Sequence, residues 1–515
     1  MSKTPSNKLF NLIKSLSGTE KRYFKVYVNN RHGERESKYL QLFEAIDLQA
    51  TFDEEALKKA VYGTQPVQTR KYSELKSYLY DLILKVLQGY DEKTSIDFRL
   101  KNKLQSVRVL YKRSHYLECI ELLEKAKKLA YKYEFFLHVV EILDWEKRVA
   151  YAQENIEFLD SELKRINGEE KYCLEQIRNL STYRNILYQL IISRRKDAVL
   201  RSEKKVENLN RIMSHPMLES IERATSHRAR ILFYRIYSNY SYSILAYEDF
   251  YHYSRQMVLA MEAQTHLLQE ETSAYIFGMT NLMLSCGLLQ KHEELRELLD
   301  AFRQIKANSL DDEFRIFKHY NNFNFRLCIT TGDFESGLKA LKSHLKEAKK
   351  FERQSFERGS FYFQYCYIYF GMGDFGQALE CLNQWLSLPK SVEREDLQSL
   401  ARILNLIIHY EMENTELLEY LVRSTYRFLK KRNRVFEFEK RVLAFIQQSI
   451  KIHEQKTLKK AFQNLREDIE RLAGVPSERI MLQYFDFISW IDSKIENQSF
   501  GALVKKRYQE NRQDR

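Results

Sequence analysis

Histidines and carboxylates at helical spacing are the first residues in the sequence with the means to do chemistry. Glu248 and His252 are four residues apart, and His138 and Glu141 are three apart. Either pair would lie on one face of a helix, where two such pairs from different helices can hold a metal ion. The sequence has no H-E-x-x-H motif and no Cys/His cluster, and its 70 carboxylates produce such pairs by chance. We therefore predict no metal ligands.

Motifs for covalent catalysis and for phosphate binding are absent from the sequence. There is no G-x-S-x-G turn, no G-x-x-x-x-G-K-[ST] phosphate loop and no G-x-G-x-x-G loop. Paired acids such as Asp311 and Asp312 fall at predicted helix starts, where they complement the helix dipole. The sequence therefore predicts a protein that is not an enzyme and needs no cofactor, and it leaves open an enzyme whose site has no recognisable motif.

Clusters of basic residues are the other candidates, because basic and aromatic residues together bind phosphate backbones and bases. The candidate basic patch takes its residues from two such runs: Arg194, Arg195, Lys196, Arg201, Arg223, Arg228 and Arg230. The same residue types also suit helix ends and solvated faces. The formal net charge is +13, but 83 basic and 70 acidic residues are interspersed, as on solvated helices. Nucleic-acid binding is thus the weaker alternative, and it predicts affinity that falls steeply with salt.

The elements that must position all these residues are helices. The chain of 515 residues has only 15 glycines and 5 prolines, too few for a β-sandwich or barrel of this length. Apolar residues recur at helical spacing nearly throughout, as at Leu75, Leu79, Leu82 and Val86. No segment shows a convincing strand alternation. The predicted fold class is therefore all-α.

The cysteines and the first residues of the sequence indicate in which cellular compartment the protein is expected. None of the six cysteines belongs to a C-x-x-C pair, and each lies in an apolar helical stretch. Free buried thiols point to a reducing compartment. The segment from Met1 to Lys8 has no apolar signal core, and no apolar run approaches the ~20 residues of a membrane span. We expect a cytoplasmic protein without a membrane segment.

Three regions differ in pattern. Residues 1–95 predict a helical bundle of about five short helices, residues 96–449 a helical repeat, and residues 450–515 capping helices with a basic tail. The bundle either caps the first repeat or acts as a helix-turn-helix. Its clearest local signal is Asp53, which is expected to cap a helix that Gly63 ends.

The C-terminal region carries its own signals. Gly474 is expected to end a helix in a left-handed conformation, and the residues from Lys505 onward predict a frayed tail because they are polar and basic.

A repeat is visible from about residue 96. Its signal is a polar or glycine-containing turn before an aromatic residue, clearest in Gly373-Asp374-Phe375 and again in Gly332-Asp333-Phe334. From Asp333 to Asp374 is 41 residues, as is Asp374 to Thr415. Counting back in such steps predicts further turns, near residues 153–155 and 194–197. The period of about 41 residues predicts stacked antiparallel helix hairpins.

The segment Tyr362 to Pro389 resembles a tetratricopeptide repeat. Its first helix places Tyr362, Tyr365, Cys366 and Tyr369 where that repeat has large, large, small and aromatic residues, and Ala378 matches the small residue of the second helix. Trp385 departs from the pattern, and the period exceeds the usual ~34 residues of the family. The chain is also similar to uncharacterised bacterial helical-repeat proteins. The resemblance implies a right-handed superhelix whose concave side is lined by the first helix of each hairpin.

Carried onto this sequence, that register gives candidate groove residues with polar and aromatic side chains: Arg235, Ser238, Tyr242, His319, Asn322, Arg326, Ser360, Phe363, Tyr367 and Phe370. Such a mixture can hold an extended peptide by its backbone and by acidic side chains. Packing on neighbouring helices is the alternative role of these residues. We therefore expect a non-enzymatic scaffold that binds a protein or peptide partner, possibly an acidic one.

Overall fold

Helices account for all the regular secondary structure that is described. The structure, a computed structural model, describes residues 7–32, 38–63, 68–91, 95–196, 203–351, 359–387, 395–431, 436–475 and 484–513. Over these residues the chain forms 25 α-helices, three short 3-10 turns and no strand. The all-α prediction is confirmed.

The chain divides into two compact units, Met1–Leu289 with Lys306–Glu313 (unit 1), and Gln290–Ile305 with Phe314–Arg515 (unit 2). Unit 1 contains α1 (Lys8–Ser15), α2 (Gly18–His32), α3 (Lys38–Leu48), α4 (Glu54–Tyr62), α5 (Thr69–Asp91), α6 (Ile96–Tyr111), α7 (Tyr116–Lys132), α8 (Phe136–Ala152), α9 (Ile156–Lys196), α10 (Glu203–Met213), α11 (His227–Ser243), α12 (Tyr247–Glu262), α13 (Thr265–Glu270) and α14 (Thr272–Leu288).

Unit 2 contains α15 (His292–Arg303), most of α16 (Leu310–Thr331), α17 (Phe334–Ala348), α18 (Gly359–Gly371), α19 (Phe375–Leu386), α20 (Glu395–Glu411), α21 (Thr415–Lys431), α22 (Glu437–Ser449), α23 (Gln455–Ala473), α24 (Phe487–Glu496) and α25 (Phe500–Gln513). The buried residues from Phe325 to Val504 form one core cluster, so the closing helices share the core of the hairpins that precede them. The boundary that the sequence suggested at residue 449 falls inside this cluster.

The first five helices pack around a core of their own, whose buried members run from Leu9 to Val86. The Asp53 side chain accepts hydrogen bonds from the backbone N–H groups of Glu55 and Ala56, and Gly63 follows the helix with φ +67°. Both local predictions for α4 are therefore confirmed. The first backbone N–H groups of a helix need a hydrogen-bond acceptor, which Asp53 supplies. The positive φ after the helix favours a residue without a side chain, which is Gly63.

Several of the described turns that join successive helices share one backbone feature, a residue with positive φ. In unit 2 the residues with positive φ are Gln290, Gly332, Gly373, Glu413 and Asn497, and the first four are 42, 41 and 40 residues apart. After Gly332 and Gly373 the next residue, an aspartate, caps the following helix through its side chain. The polar turns seen in the sequence thus combine a left-handed residue with a helix cap.

Helix α9 is a single helix of 41 residues where the repeat predicted a hairpin. It begins at Ile156, directly after the predicted turn at residues 153–155, and runs to Lys196, while residues 197–202 lie outside the described part. Gly168 is its one glycine and it has no proline, so no residue forces a turn. A helix of this length extends about 60 Å.

Two predictions for the C-terminal region, on Gly474 and on the residues from Lys505 onward, differ from the structure. Gly474 has φ −76°, a right-handed value, so it is not a left-handed cap. The predicted frayed tail from Lys505 is, as far as Gln513, part of α25, and the last two residues lie outside the described part. This helix is held because Leu503 and Val504 are buried and because an Arg507 guanidinium nitrogen lies 2.5 Å from Asp492 Oδ2.

Glycine permits the close approach of α25 to α17 and α18. A Cβ atom on Gly371 would lie 2.2 to 2.4 Å from the Phe334 ring, and one on Gly501 would lie 2.8 Å from the carbonyl oxygen of Gly371. Both distances are shorter than van der Waals contact, so the backbones meet where no side chain fits.

We expect Gly371→Ala to lower the free energy of unfolding by about 1–3 kcal/mol, because the added methyl group overpacks this contact. Gly376→Ala is the matched control, since its Cβ would meet no atom closer than 3.8 Å. In a helix that control gains stability, by up to about 1 kcal/mol. Urea titrations of the two variants test the pair, and equal effects would contradict the packing described.

Candidate functional site

The predicted groove on α18 is filled by the chain itself. Tyr367 and Phe370 are buried, and both rings lie 5.1 to 5.3 Å from the Phe485 ring. Phe500 of α25 lies 5.2 Å from Phe370, and the Tyr367 hydroxyl accepts a hydrogen bond of 3.0 Å from the backbone N–H of Asp486. The two residues therefore anchor the C-terminal segment and do not face an open groove.

Of the two remaining groove candidates on α18, Phe363 packs within its own hairpin. Phe363 is half-buried and its ring lies 6.2 Å from the ring of Trp385, within the same hairpin. Ser360 belongs to α18, but its side chain lies outside the described part of the structure. Trp385 stands where the tetratricopeptide pattern has a small residue, and its large ring packs on Phe363.

On α16, the candidates His319, Asn322 and Arg326 have different environments. Asn322 accepts a 3.2 Å hydrogen bond at its backbone carbonyl from the side-chain amide of Gln364. His319 is half-buried, and this burial lowers the pKa of its imidazole to about 4, with Lys318 and Arg315 adding to the effect. Arg326 is exposed. At neutral pH, therefore, His319 adds no positive charge for an acidic peptide.

In unit 1, Arg235, Ser238 and Tyr242 lie on α11. Ser238 is fully buried, where its hydroxyl is 2.9 Å from that of Ser254, so it cannot contact a partner. The Arg235 guanidinium stacks over the Phe277 ring at 4.0 Å. Tyr242 keeps 36% of its surface exposed. Of these three candidates, Tyr242 is the most accessible.

The candidate basic patch is largely occupied by internal contacts where its side chains are described. Arg223 lies 2.7 Å from Glu219, and Arg230 donates to the carbonyl oxygen of Ala224 at 3.3 Å. Arg228 lies 2.7 Å from Glu271 and 4.7 Å from the Phe135 ring. For Arg194, Arg195 and Lys196 at the end of α9, and for Arg201, the side chains lie outside the described residues.

Arg228 has a structural role at the start of α11. The carboxylate of Glu134 accepts hydrogen bonds of 2.8 and 3.0 Å from the backbone N–H groups of His227 and Arg228. Glu134 lies in the turn between α7 and α8 with φ +54°, which aims its side chain at a helix remote in sequence. The contact satisfies helix donors that would otherwise lack a partner. Arg228 therefore secures this junction.

A line of exposed apolar residues along α9 is the feature that sequence reasoning missed. Ile156, Leu174 and Ile192 are 68%, 55% and 51% exposed, and each is 18 residues from the next. Eighteen residues complete about five helical turns, so the three lie on one line along the helix. The exposed residues Leu163 and Tyr188 lie within about 40° of it. The 18-residue spacing is visible in the sequence, but spacing alone does not show which face of a helix is exposed.

A cavity of about 380 Å³ lies between α7, α8 and the start of α9, and it too has no sequence motif. Across the described ranges, no group of three or more histidine, cysteine or carboxylate side chains is placed to hold a metal ion. Likewise, none of the described helices combines the length and apolarity needed to cross a membrane.

The chain matches no protein-family model, no curated protein and no solved structure. The two surface features of unit 1 described above, the α9 line and the cavity, are therefore the candidates for its function.

We expect the stability of the protein to fall as the pH drops from about 6.5 to 4. The folded-state pKa of His319 lies near 4, below the value of about 6.5 of an unfolded histidine, so only the unfolded chain takes up the proton in this window. The loss at pH 4 amounts to up to about 3 kcal/mol.

Urea titrations between pH 4 and 7.5 measure this effect. His319→Gln should flatten the pH dependence, whereas His453→Gln, which changes an exposed histidine of the same unit, should leave it as in the wild type. An unaltered slope in His319→Gln would show that other groups cause the loss.

Proposed function

We propose that this chain is a non-enzymatic protein-binding scaffold that uses the exposed apolar line of α9. The supporting observation is that Ile156, Leu174 and Ile192 are more than half exposed and aligned on one helix face. Single exposed apolar residues are common, but an aligned set over some 50 Å of helix is typical of an interaction surface. The partner binds there because it removes this apolar surface from water.

The chemistry beside the line suggests the kind of partner. Exposed charges of both signs lie within about 100° of the line: Glu157, Asp160, Lys164 and Lys171 in its first half, and Glu175, Arg178 and Arg184 in its second half. A complementary partner is a protein segment with an amphipathic helix whose apolar face meets the line and whose flanking residues carry both charges. The acidic partner expected from the sequence stays a prediction.

For the architecture, we propose that the hairpins form right-handed superhelical arrays of the tetratricopeptide-like kind within each unit. Turn residues 40 to 42 residues apart in unit 2, each with positive φ, support a repeat of about 41 residues. The burial of Ala378, and of Gly337 at the corresponding place in the preceding hairpin, supports close helix crossing. Continuous α9 is the exception to this repeat, and it is also where the proposed binding surface lies.

A cytoplasmic location fits this proposal, because all six cysteines are free and buried. Nucleic-acid binding is less well supported, because Arg223 and Arg228 already carry ion pairs.

We expect a photoreactive residue at position 174 to cross-link a partner protein in cells. The same residue at position 161 of the same helix, which is exposed and about 140° from the line, should do so much less. Mass spectrometry of the cross-linked product identifies the partner and the contact point.

With the partner in hand, Leu174→Glu should weaken binding at least tenfold, about 1.4 kcal/mol, because it buries a charge in an apolar contact. Ser161→Glu adds the same charge about 140° from the line and should change affinity less than about twofold. Equal cross-linking at both positions, or an unaffected Leu174→Glu, would contradict the proposal.

A further inference from the structure

The cavity of unit 1 has mostly apolar walls. Its space of about 380 Å³ is bounded by Ile120 of α7, Val149 and Ala150 of α8, and Phe158 of α9, with Tyr131 completing the lining. Volumes of a few hundred Å³ are those of pockets for small organic ligands. Three helices supply the walls, so the space exists before any ligand enters.

Two of the three basic groups in the wall are already paired with carboxylates. The ammonium group of Lys127 lies 2.9 Å from Glu169 and 3.2 Å from Glu146. The guanidinium group of Arg165 is paired with Glu162 and lies 2.6 Å from Glu169. An anionic ligand would have to break these pairs to bind either group, so neither favours added negative charge.

The other polar groups include one residue of each charge at the exposed edge of the cavity. Glu124 and Lys128 lie one turn apart on α7 and are both exposed to water. The Tyr131 hydroxyl is turned to the thiol of Cys173 at 3.7 Å, and burial raises the pKa of both groups, so both stay neutral. Gln153 contributes an uncharged amide. A charged ligand would meet both signs at this edge and lose hydration among the apolar walls, whereas an apolar body gains by burial.

We propose that this cavity is a binding site for an uncharged aromatic small molecule of one or two fused rings with one hydrogen-bonding substituent. The rings occupy the space between Ile120, Val149 and Phe158, and the substituent reaches the amide of Gln153. This site is independent of the proposed protein-binding line, because Phe158 and Arg165 lie about 160° and 180° around α9 from Leu174.

Three probes of matched shape test the charge argument on the full chain: 2-naphthol, 2-naphthoate and 2-naphthylmethylammonium. Calorimetry and ligand-detected NMR at pH 7 should show binding of neutral 2-naphthol. Both charged probes should bind at least about tenfold more weakly. Equal affinity for all three, or no binding of 2-naphthol at about 1 mM, would overturn the proposal.

Two tryptophan variants on one helix locate the site. Ile120→Trp fills the cavity and should weaken 2-naphthol binding at least about tenfold. Leu117→Trp, three residues earlier and 72% exposed outside the cavity lining, should leave the affinity within about twofold. Unchanged binding to Ile120→Trp would overturn the proposal. If circular dichroism shows that Ile120→Trp does not fold, Gln153→Trp is used in its place.

A fourth probe separates a free ligand from a side chain of a bound peptide. N-acetyltryptophanamide carries an indole ring between two peptide groups, which the enclosed walls have no room for. It should bind more weakly than 2-naphthol. Tighter binding would mean that the cavity takes a peptide side chain, contrary to the proposal.

Discussion

The aromatic contact between α18 and the C-terminal segment determines which surfaces of unit 2 remain available. Tyr367 and Phe370 of α18 pack against Phe485 and Phe500, and Gly371 and Gly501 bring the backbones together. Aromatic pairs of this kind stabilise a fold by more than the burial of their large apolar area alone. Because the chain fills its own groove here, a partner would have to displace α25 to reach α18.

The exposed apolar line lies in unit 1, on the long helix. Helix α9 is continuous, and one side of it packs on α8 and α11 while Ile156, Leu174 and Ile192 on another side are exposed. The ion pairs of Lys127 and Arg165 lie at the wall of the cavity near its start, which has no sequence motif. Because this helix interrupts the hairpin repeat, the repeat pattern predicted neither feature.

The sequence predicted what local chemistry determines. Caps and turns at Asp53, Gly63 and Gly373 were readable because each needs a particular residue type at one backbone position. The sequence did not predict which apolar faces are covered. Both Tyr367 and Leu174 are large side chains in predicted helices, but only distant segments decide that the first is buried and the second exposed. For the same reason the residues from Lys505 onward were predicted to be a frayed tail, although the buried residues Leu503 and Val504 immediately precede them.

Amide hydrogen exchange across Phe500–Gln513 tests most directly whether the C-terminal helix occupies the groove. Protection of a helix depends on how firmly it is packed, and a loosely held terminus exchanges almost as fast as an unfolded chain. If α25 fills the surface of α18, the amides of Leu503 and Val504 should exchange as slowly as those in the middle of α18. Exchange at the rate of an unstructured peptide would contradict the account and return Tyr367 and Phe370 to the candidate groove.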